Sequence, residues 1–158
     1  MNPHEQLIEE FYAAFAQQEP ETMASCYHPE ITFEDSVFGK LHGRDAADMW
    51  RMLLERSKGN LTVEFSDIHA DLEQGSAKWV AQYPFSKTGR QVVNKISAKF
   101  TFKDGLIFTH EDTFDFAVWS RQAFGLTGWL FGKTDFLKNK VRQQALASLK
   151  IWQNKQLR

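Results

Sequence analysis

The spacing of apolar residues in the first sixty positions predicts three helices. Apolar residues after Pro3 recur every three or four positions, which is typical of an amphipathic helix with proline in its first turn. This first stripe consists of Leu7, Ile8, Phe11, Tyr12 and Phe15. A short second helix is predicted near Thr22 to Cys26. A third is predicted from Arg44 to Arg56, because its apolar residues again form one stripe and acidic residues occupy its first turns.

The rest of the first 116 residues alternates between apolar and polar positions, as β-strands do. The predicted strands are Ile31 to Val37, Leu61 to Leu72, Ala77 to Phe85, Gln91 to Lys103 and Leu106 to Phe116. Hairpin-like connections are predicted at Gln74-Gly75, at residues 87–89 and at residues 103–105. Helices followed by such a meander predict an α+β fold with a mainly antiparallel sheet.

The tail after residue 116 has a different character. Helices are predicted near Val118 to Phe124 and Thr134 to Gln156, separated by a glycine-punctuated stretch at residues 125–132. Residues 1–115 contain 11 basic and 19 acidic residues, a net charge of −8, whereas residues 116–158 contain 8 and 1, a net charge of +7. We therefore expect the last helix to dock on the acidic body of its own or a partner subunit. The alternative is that Trp129, Leu130 and Phe131 form an interfacial membrane anchor beside this basic helix; a membrane surface is not the expected partner.

Composition narrows the class of protein. The 158 residues, 42% of them hydrophobic, suffice for one domain with a substantial core. The first twenty residues lack the pattern of a secretory signal, and no segment has the roughly 18 apolar residues of a membrane span, which predicts a cytoplasmic location. The motifs for phosphate loops, dinucleotides, zinc proteases and serine hydrolases are absent from the sequence, and no cofactor or metal is expected. An acidic body and a net charge of −1 argue against a nucleic-acid partner.

Asp35 is the first candidate for chemistry. Alternation along residues 31–35 places its carboxyl on the same face as Ile31 and Phe33, so it points with the apolar set. Poor hydration raises the pKa of such a carboxyl and makes it a stronger base than a solvated aspartate. The alternative interpretation is that the strand has ended and Asp35 caps the turn at residues 36–39.

His110 and Asp112 are the second candidates. They share a predicted strand face with Leu106, Phe108 and Phe114, so polar groups again interrupt an apolar row. Side chains two apart on a strand lie roughly 7 Å apart, which predicts a shared ligand or water rather than a direct hydrogen bond. The alternative is a polar pair at the sheet rim that ties down the tail.

Two further strand faces are expected to enclose the interior. One carries Trp79, Ala81, Tyr83 and Phe85, and the other carries Ile96, Ala98, Phe100 and Phe102. Trp79 and Tyr83 combine a large apolar body with a polar group and fit a hydrophobic ligand site, although plain core packing explains them as well. The small Ala81 and Ala98 favour a cavity.

The order of these segments resembles the nuclear-transport-factor-2-like superfamily, and most of all its ketosteroid isomerase-like and SnoaL-like branches. The resemblance covers residues 5 to 116 and rests on the following runs: Phe11 to Phe15, Glu19 to Glu21, Cys26 to Glu30, Ile31 to Asp35 and Leu41 to Asp45. It implies a cone of N-terminal helices packed on a curved sheet. Residues 1–116 would form the cone domain, and residues 117–158 its helical extension.

The resemblance also implies a site. Asp35 aligns with the general base of ketosteroid isomerases, which are a worked example of an aspartate base assisted by a tyrosine and a protonated aspartate. Here those two donors are replaced by Phe11, with Tyr12 one residue away, and by Ala98, and Ser36 replaces the proline after the base. Efficient steroid isomerisation is therefore not predicted, because each lost donor is worth on the order of 3 kcal/mol.

Two functions follow as hypotheses. The first is an acid–base isomerase, cyclase or hydrolase acting on a hydrophobic small molecule, with Asp35 as base and His110 or Asp112 assisting. The second is a noncatalytic ligand-binding or dimeric assembly module of the same fold. The residues predicted to line the pocket are Phe11, Tyr12, Trp50, Trp79, Tyr83, Ala98, Phe100 and Phe108. A homodimer is expected through the outer sheet face near Ser97, Lys99 and Thr101.

Overall fold

The computed structural model describes residues 1–157. Three helices lie in its first 57 residues. They are α1 (Pro3–Ala16), α2 (Pro20–Ser25) and α3 (Arg44–Ser57). Helix α1 begins after Asn2, whose Oδ1 accepts the Glu5 N–H at 2.9 Å. Its apolar stripe faces inward, and Phe11, Tyr12 and Phe15 are fully buried. The predicted three helices are confirmed.

Six strands form one sheet. They are β1 (Tyr27–Asp35), β2 (Gly39–His42), β3 (Thr62–Ala70), β4 (Gln74–Pro84), β5 (Gln91–Lys103) and β6 (Leu106–Thr113). Their order is β2-β1-β6-β5-β4-β3, and every neighbouring pair is antiparallel except β1 and β6. Burial alternates residue by residue along most of β5. The mainly antiparallel α+β fold, a curved sheet with the helices packed on its inner face, is confirmed.

The structure corrects the predicted sheet in two places. The four-residue strand β2 was not predicted, because it is too short to show alternation. The hairpin predicted at Gln74-Gly75 is wrong, since both residues belong to β4 and the turn precedes them. Asp71 Oδ1 closes that turn by accepting the N–H groups of Glu73 and Gln74 at 2.8 and 2.7 Å.

An irregularity between β5 and β6 changes which residues face the interior. Pairing runs from Thr101 with Thr109 to Phe102 with Ile107, so β6 carries one extra residue at this point. Ile107 and His110 are therefore both buried, whereas Phe108 is only partly buried. The prediction that Phe108 shares a face with His110 and Asp112 is wrong for this reason.

The tail contributes three helices, α4 (Phe116–Phe124), α5 (Leu126–Phe131) and α6 (Asp135–Gln156). Helices α4 and α6 pack together with β5 in a second apolar cluster, which covers one end of the cone. The cluster consists of Val92, Phe116, Trp119, Ala123, Leu137 and Val141. Helix α5 occupies the stretch in which the glycines had predicted a break.

The predicted docking of the last helix on the body of the protein is confirmed. Leu149 and Trp152 of α6 join the main core, and Trp152 Nε1 donates to Glu55 Oε2 at 2.5 Å. Gln153 Nε2 donates to Asp45 Oδ1 and Asp48 Oδ2 at 2.8 and 3.0 Å. Within residues 1–157, no ion pair of 4 Å or less joins the tail to the body, so hydrogen bonds and apolar contacts hold the helix.

The outer face of the sheet is polar. Ser97 and Lys99 are exposed on β5 and Thr101 is partly buried, so the face on which a homodimer was predicted is uncovered in the single chain. Dimerisation stays a prediction. None of the helices within residues 1–157 is long and apolar enough to cross a membrane.

Candidate functional site

A chain of hydrogen bonds runs through the interior of the cone. Trp50 Nε1 donates to Tyr27 Oη at 2.9 Å, and Tyr27 Oη lies 2.7 Å from His110 Nδ1. On the other side of the imidazole, His110 Nε2 lies 2.8 Å from Asp112 Oδ1, and Trp79 Nε1 donates to the same oxygen at 3.4 Å. We call this group the interior chain; it joins α3, β1, β6 and β4.

One assignment of protons satisfies every donor and acceptor of the interior chain. Tyr27 Oη accepts the indole proton of Trp50, so its own proton is available to His110 Nδ1. His110 then carries its proton on Nε2 and donates it to Asp112. Both imidazole nitrogens are used, and the His110 side chain has no exposed surface. The prediction of a roughly 7 Å separation is wrong, because the two side chains lean towards each other along β6 and bond directly.

Tyr12 lies beside the interior chain but is not part of it. Its ring packs against Phe65, Trp79 and Phe100. Its hydroxyl is buried and makes no hydrogen bond to any residue from 1 to 157. Burial, together with the negative charge of Asp112, holds the pKa of Tyr12 well above its usual range.

Asp35 occupies a second position, at the end of β1. Its Oδ1 accepts the backbone N–H groups of Val37 and Phe38 at 2.9 and 2.7 Å, as the turn-cap interpretation predicted. Its Oδ2 makes no hydrogen bond within the described part of the chain. Burial, and secondarily the charge of Asp112, raise the pKa of Asp35 from 3.8 to about 7, against the lowering effect of the two turn hydrogen bonds and of Arg142.

The tail contributes two side chains to this end of the cone that sequence reasoning missed. Arg142 of α6 donates from Nη2 to the backbone oxygen of Ser36 at 3.1 Å, while its Nε is buried without an acceptor among residues 1–157. Trp119 of α4 donates from Nε1 to Tyr83 Oη at 2.7 Å. Burial raises the pKa of Tyr83, and the charge of Asp35 adds to this effect. We call Asp35, Tyr83, Trp119 and Arg142 the mouth group.

Helix α4 is held over this end of the cone by a side chain that imitates strand pairing. Gln122 Oε1 accepts the Val93 N–H at 2.7 Å, and Gln122 Nε2 donates to the Val93 backbone oxygen at 3.0 Å. Thr88 Oγ1 also donates to the Ala123 backbone oxygen at 2.6 Å. The tail is therefore tied to β5 and to the loop before it by backbone-directed bonds.

The structure divides the predicted pocket residues into three groups. Six of them have exposed fractions of 6% or less and pack on each other as core: Phe11, Tyr12, Trp50, Trp79, Ala98 and Phe100. Tyr83 belongs to the mouth group. Phe108 lies apart, between the His28 ring and the Lys103 ammonium. An organic ligand among the six core residues would therefore need space that their side chains now occupy.

A groove lies outside the cone, between α2, α3 and the end of α6, and has a volume of about 630 Å³. Its floor carries the buried Asp48 carboxylate, which pairs with Arg51 Nη1 at 3.0 Å and Arg44 Nε at 3.4 Å. Arg51 in turn bonds Glu21 at 2.9 Å. These charges neutralise each other. Among residues 1–157, no group of three or more His, Cys, Asp or Glu side chains is arranged to hold a metal ion.

A curved sheet closed by helices at one end is the architecture of nuclear-transport-factor-2-like proteins, and similar solved structures share it. The chain superposes on an NTF2-like protein of unknown function from Burkholderia pseudomallei, with a TM-score of 0.65, 19% identity, and coverage of 79% of this chain and 100% of that one. For IdmH from Streptomyces antibioticus, a putative polyketide cyclase, the TM-score is 0.64 and the identity 18%, with coverage of 77% of this chain and 98% of that one. For an LEH-like epoxide hydrolase from M. tuberculosis, the TM-score is 0.57 and the identity 21%, with coverage of 84% of this chain and 92% of that one. At these identities, the likeness concerns the fold.

The family is shown by sequence. The family model of the SnoaL-like domain matches residues 8–110, about two thirds of the chain. This protein therefore belongs to the SnoaL-like family. No curated protein matches its sequence.

Proposed function

We propose that this protein is an acid–base enzyme that acts on an apolar small molecule at the mouth of the cone, with Asp35 as the proton acceptor. The observation that carries the proposal is the arrangement of the Asp35 carboxyl: two backbone N–H groups fix one oxygen, and the other oxygen has no partner within residues 1–157. A base that is held in place but not fully hydrogen-bonded can take a proton without rearrangement. Its pKa of about 7 also lies near neutral pH, where a general base of this strength is most effective.

Arg142 supplies the charge that the reaction requires. When Asp35 removes a proton from a carbon next to a carbonyl group, the electron pair of the C–H bond moves into an enolate. Asp35 becomes a carboxylic acid and later returns the proton to another atom or to solvent. The buried Nε of Arg142, which has no acceptor in the described chain, suits the enolate oxygen. It would replace the donors that ketosteroid isomerases carry at the positions of Phe11 and Ala98.

The interior chain has a supporting role in this proposal. His110 and Asp112 are almost completely buried and bonded to each other, so they influence the reaction through charge rather than by contact with the substrate. Asp112 helps to raise the pKa of Asp35. A substrate approaches from the tail side, because the aromatic core occupies the rest of the cone.

Exchange of carbon-bound protons tests the proposal without knowledge of the natural substrate. The α-protons of a panel of apolar cyclic ketones would be followed by NMR in D₂O between pH 6 and 9. We expect catalysed exchange by the wild type and a decrease of about 10²-fold or more in Asp35→Asn. Arg142→Met should also slow exchange, while Glu34→Gln, on the neighbouring residue, should leave it unchanged. Equal rates in Asp35→Asn and wild type would refute the proposal.

The packed interior favours a second candidate function, a noncatalytic module whose cone is a core rather than a pocket. The six residues predicted to line a pocket support it, because all six are buried in the main core and several of their rings pack on one another. This candidate predicts no exchange above the buffer rate for any ketone. It also predicts no change in Trp fluorescence when apolar cyclic ligands are added.

A further inference from the structure

A group of large apolar side chains on the tail faces solvent. Leu126, Trp129, Leu130 and Phe131 of α5 and Phe136 of α6 have exposed fractions between 48% and 73%. We call these five residues the tail patch. Single exposed apolar residues are ordinary, but five within eleven positions form a continuous feature that marks a contact surface.

The orientation of α5 explains why the tail patch faces outward. A Cβ atom on Gly128 would lie 1.9 Å from the Ser120 backbone oxygen, and one on Gly132 would lie 2.3 Å from Ser120 Oγ. Gly128, within α5, and Gly132, directly after it, therefore form the side of this segment that lies directly on α4. Leu126, Trp129 and Leu130, spaced at i, i+3 and i+4, necessarily occupy the exposed face. Rotating the helix to bury them would bring bulky side chains against the α4 backbone.

The charges of the same segment identify the kind of partner. Residues 116–140 carry four basic side chains, Arg121, Lys133, Lys138 and Lys140, and one acidic side chain, Asp135. None of these basic side chains lies within 4 Å of a carboxylate in the described residues. Since two copies of the patch would bring like charges together, an anionic partner fits better than a second copy of this chain.

We propose that the tail patch binds the surface of anionic lipid membranes. Trp, Phe and Leu side chains beside lysines are the combination found at membrane interfaces, where the apolar groups enter the headgroup region and the ammonium groups meet lipid phosphates. The protein lies on the bilayer, and α5 is the contacting element. This extends the second interpretation of the tail sequence. It is compatible with the docked α6, because the residues that join α6 to the main core, Leu149 and Trp152, are not part of the tail patch.

Flotation with lipid vesicles tests the proposal directly. The full-length protein would be mixed with vesicles of phosphatidylcholine alone or with about 30% phosphatidylglycerol, at low and high salt. We expect binding to the anionic vesicles that weakens with salt. Trp129→Ser/Leu130→Ser should lower the partition coefficient by on the order of tenfold or more, and Lys133→Gln/Lys140→Gln should reduce binding to anionic vesicles only.

Leu72→Ser provides the matched control, because Leu72 is 87% exposed but lies far along the chain in the turn before β4. It should bind vesicles as the wild type does, and circular dichroism should show that all variants are folded. Absence of wild-type binding, or binding that the Trp129→Ser/Leu130→Ser variant retains, would overturn the proposal. Sedimentation that reveals a dimer lost in the same variant, without vesicle binding, would also overturn it and assign the patch to self-association.

Discussion

The interior chain and the mouth group use similar side chains in opposite ways. In the interior chain every nitrogen of His110 is bonded, and Tyr27 both accepts and donates. In the mouth group, Asp35 keeps one oxygen without a hydrogen bond, and Arg142 keeps a buried nitrogen without an acceptor, as far as residues 1–157 show. A saturated buried network stabilises and specifies a fold, whereas open buried groups cost stability unless something else binds them. This contrast supports the proposal that the first group has a structural role and the second a chemical one.

The largest expected effect distinguishes the buried His110–Asp112 pair of the interior chain from a His–Asp pair whose carboxylate is exposed. His110→Ala leaves the Asp112 carboxylate and the Tyr27 hydroxyl buried without their partner, so we expect the free energy of unfolding to fall by about 3 kcal/mol or more. Urea denaturation measures this change. If the alanine variant does not fold, His110→Gln, which restores part of the hydrogen bonding, should show a smaller loss.

The control for this prediction is His28 and Asp104, which lie 3.1 Å apart with the Asp104 side chain 72% exposed. Asp104→Asn should change the free energy of unfolding by less than about 0.5 kcal/mol. Asparagine also tolerates the positive φ of 54° at this position. Similar losses at both pairs would mean that burial does not distinguish them, and the structural role of the interior chain would have to be abandoned.

Much of the fold could be predicted because its signals are local. The stripe of α1 and the alternation of β5 each specify a buried face within one element. The bulge in β6 could not be predicted, since both Ile107 and Phe108 are apolar and either could face inward. Helix α5 was missed because Gly128 and Gly132 normally weaken helices, whereas here they permit close contact with α4.

The candidate site was predicted only in part. Sequence alternation found Asp35, His110 and Asp112, because a polar residue in an apolar row is visible locally. Arg142 was placed in the tail helix by its pattern, but its contact with Ser36 spans 106 positions, and no periodic signal joins two such distant residues. The direct bond between His110 and Asp112 depends on side-chain orientation, which backbone spacing does not define.

A change at Asp35 should affect stability in a pH-dependent direction. The folded state holds the Asp35 proton up to a pKa of about 7, and the unfolded state releases it near 3.8, so the folded state binds more protons between these values. The contribution of Asp35 to the free energy of unfolding therefore falls as the pH rises from about 4 to 7. Asp35→Asn removes this penalty and retains an oxygen for the turn. We expect a stabilisation of about 2 kcal/mol at pH 8 and almost none at pH 4. The value at pH 8 is smaller than the full pKa shift implies, because the Asp35 side chain is partly exposed.

Urea denaturation of both proteins at the two pH values measures this prediction, with Glu34→Gln as the neighbouring control. A stabilisation that is the same at pH 4 and pH 8 would show that the Asp35 carboxyl titrates normally. The mouth group would then resemble an ordinary capped turn, and its contrast with the interior chain would disappear.

The smallest expected effect concerns two buried tyrosines that differ in hydrogen bonding. The Tyr27 hydroxyl bonds Trp50 and His110, so Tyr27→Phe should lower the free energy of unfolding by about 1.5 kcal/mol. The Tyr12 hydroxyl has no partner in residues 1–157, so Tyr12→Phe should leave stability unchanged or raise it by up to about 1 kcal/mol. Because both variants remove one oxygen from a buried ring, the difference between them isolates the hydrogen bonds. Thermal unfolding of the two variants measures that difference.

A loss at Tyr12 equal to the loss at Tyr27 would mean that a bound water satisfies the Tyr12 hydroxyl. The hydrogen-bonded interior would then extend beyond the interior chain from Trp50 to Trp79.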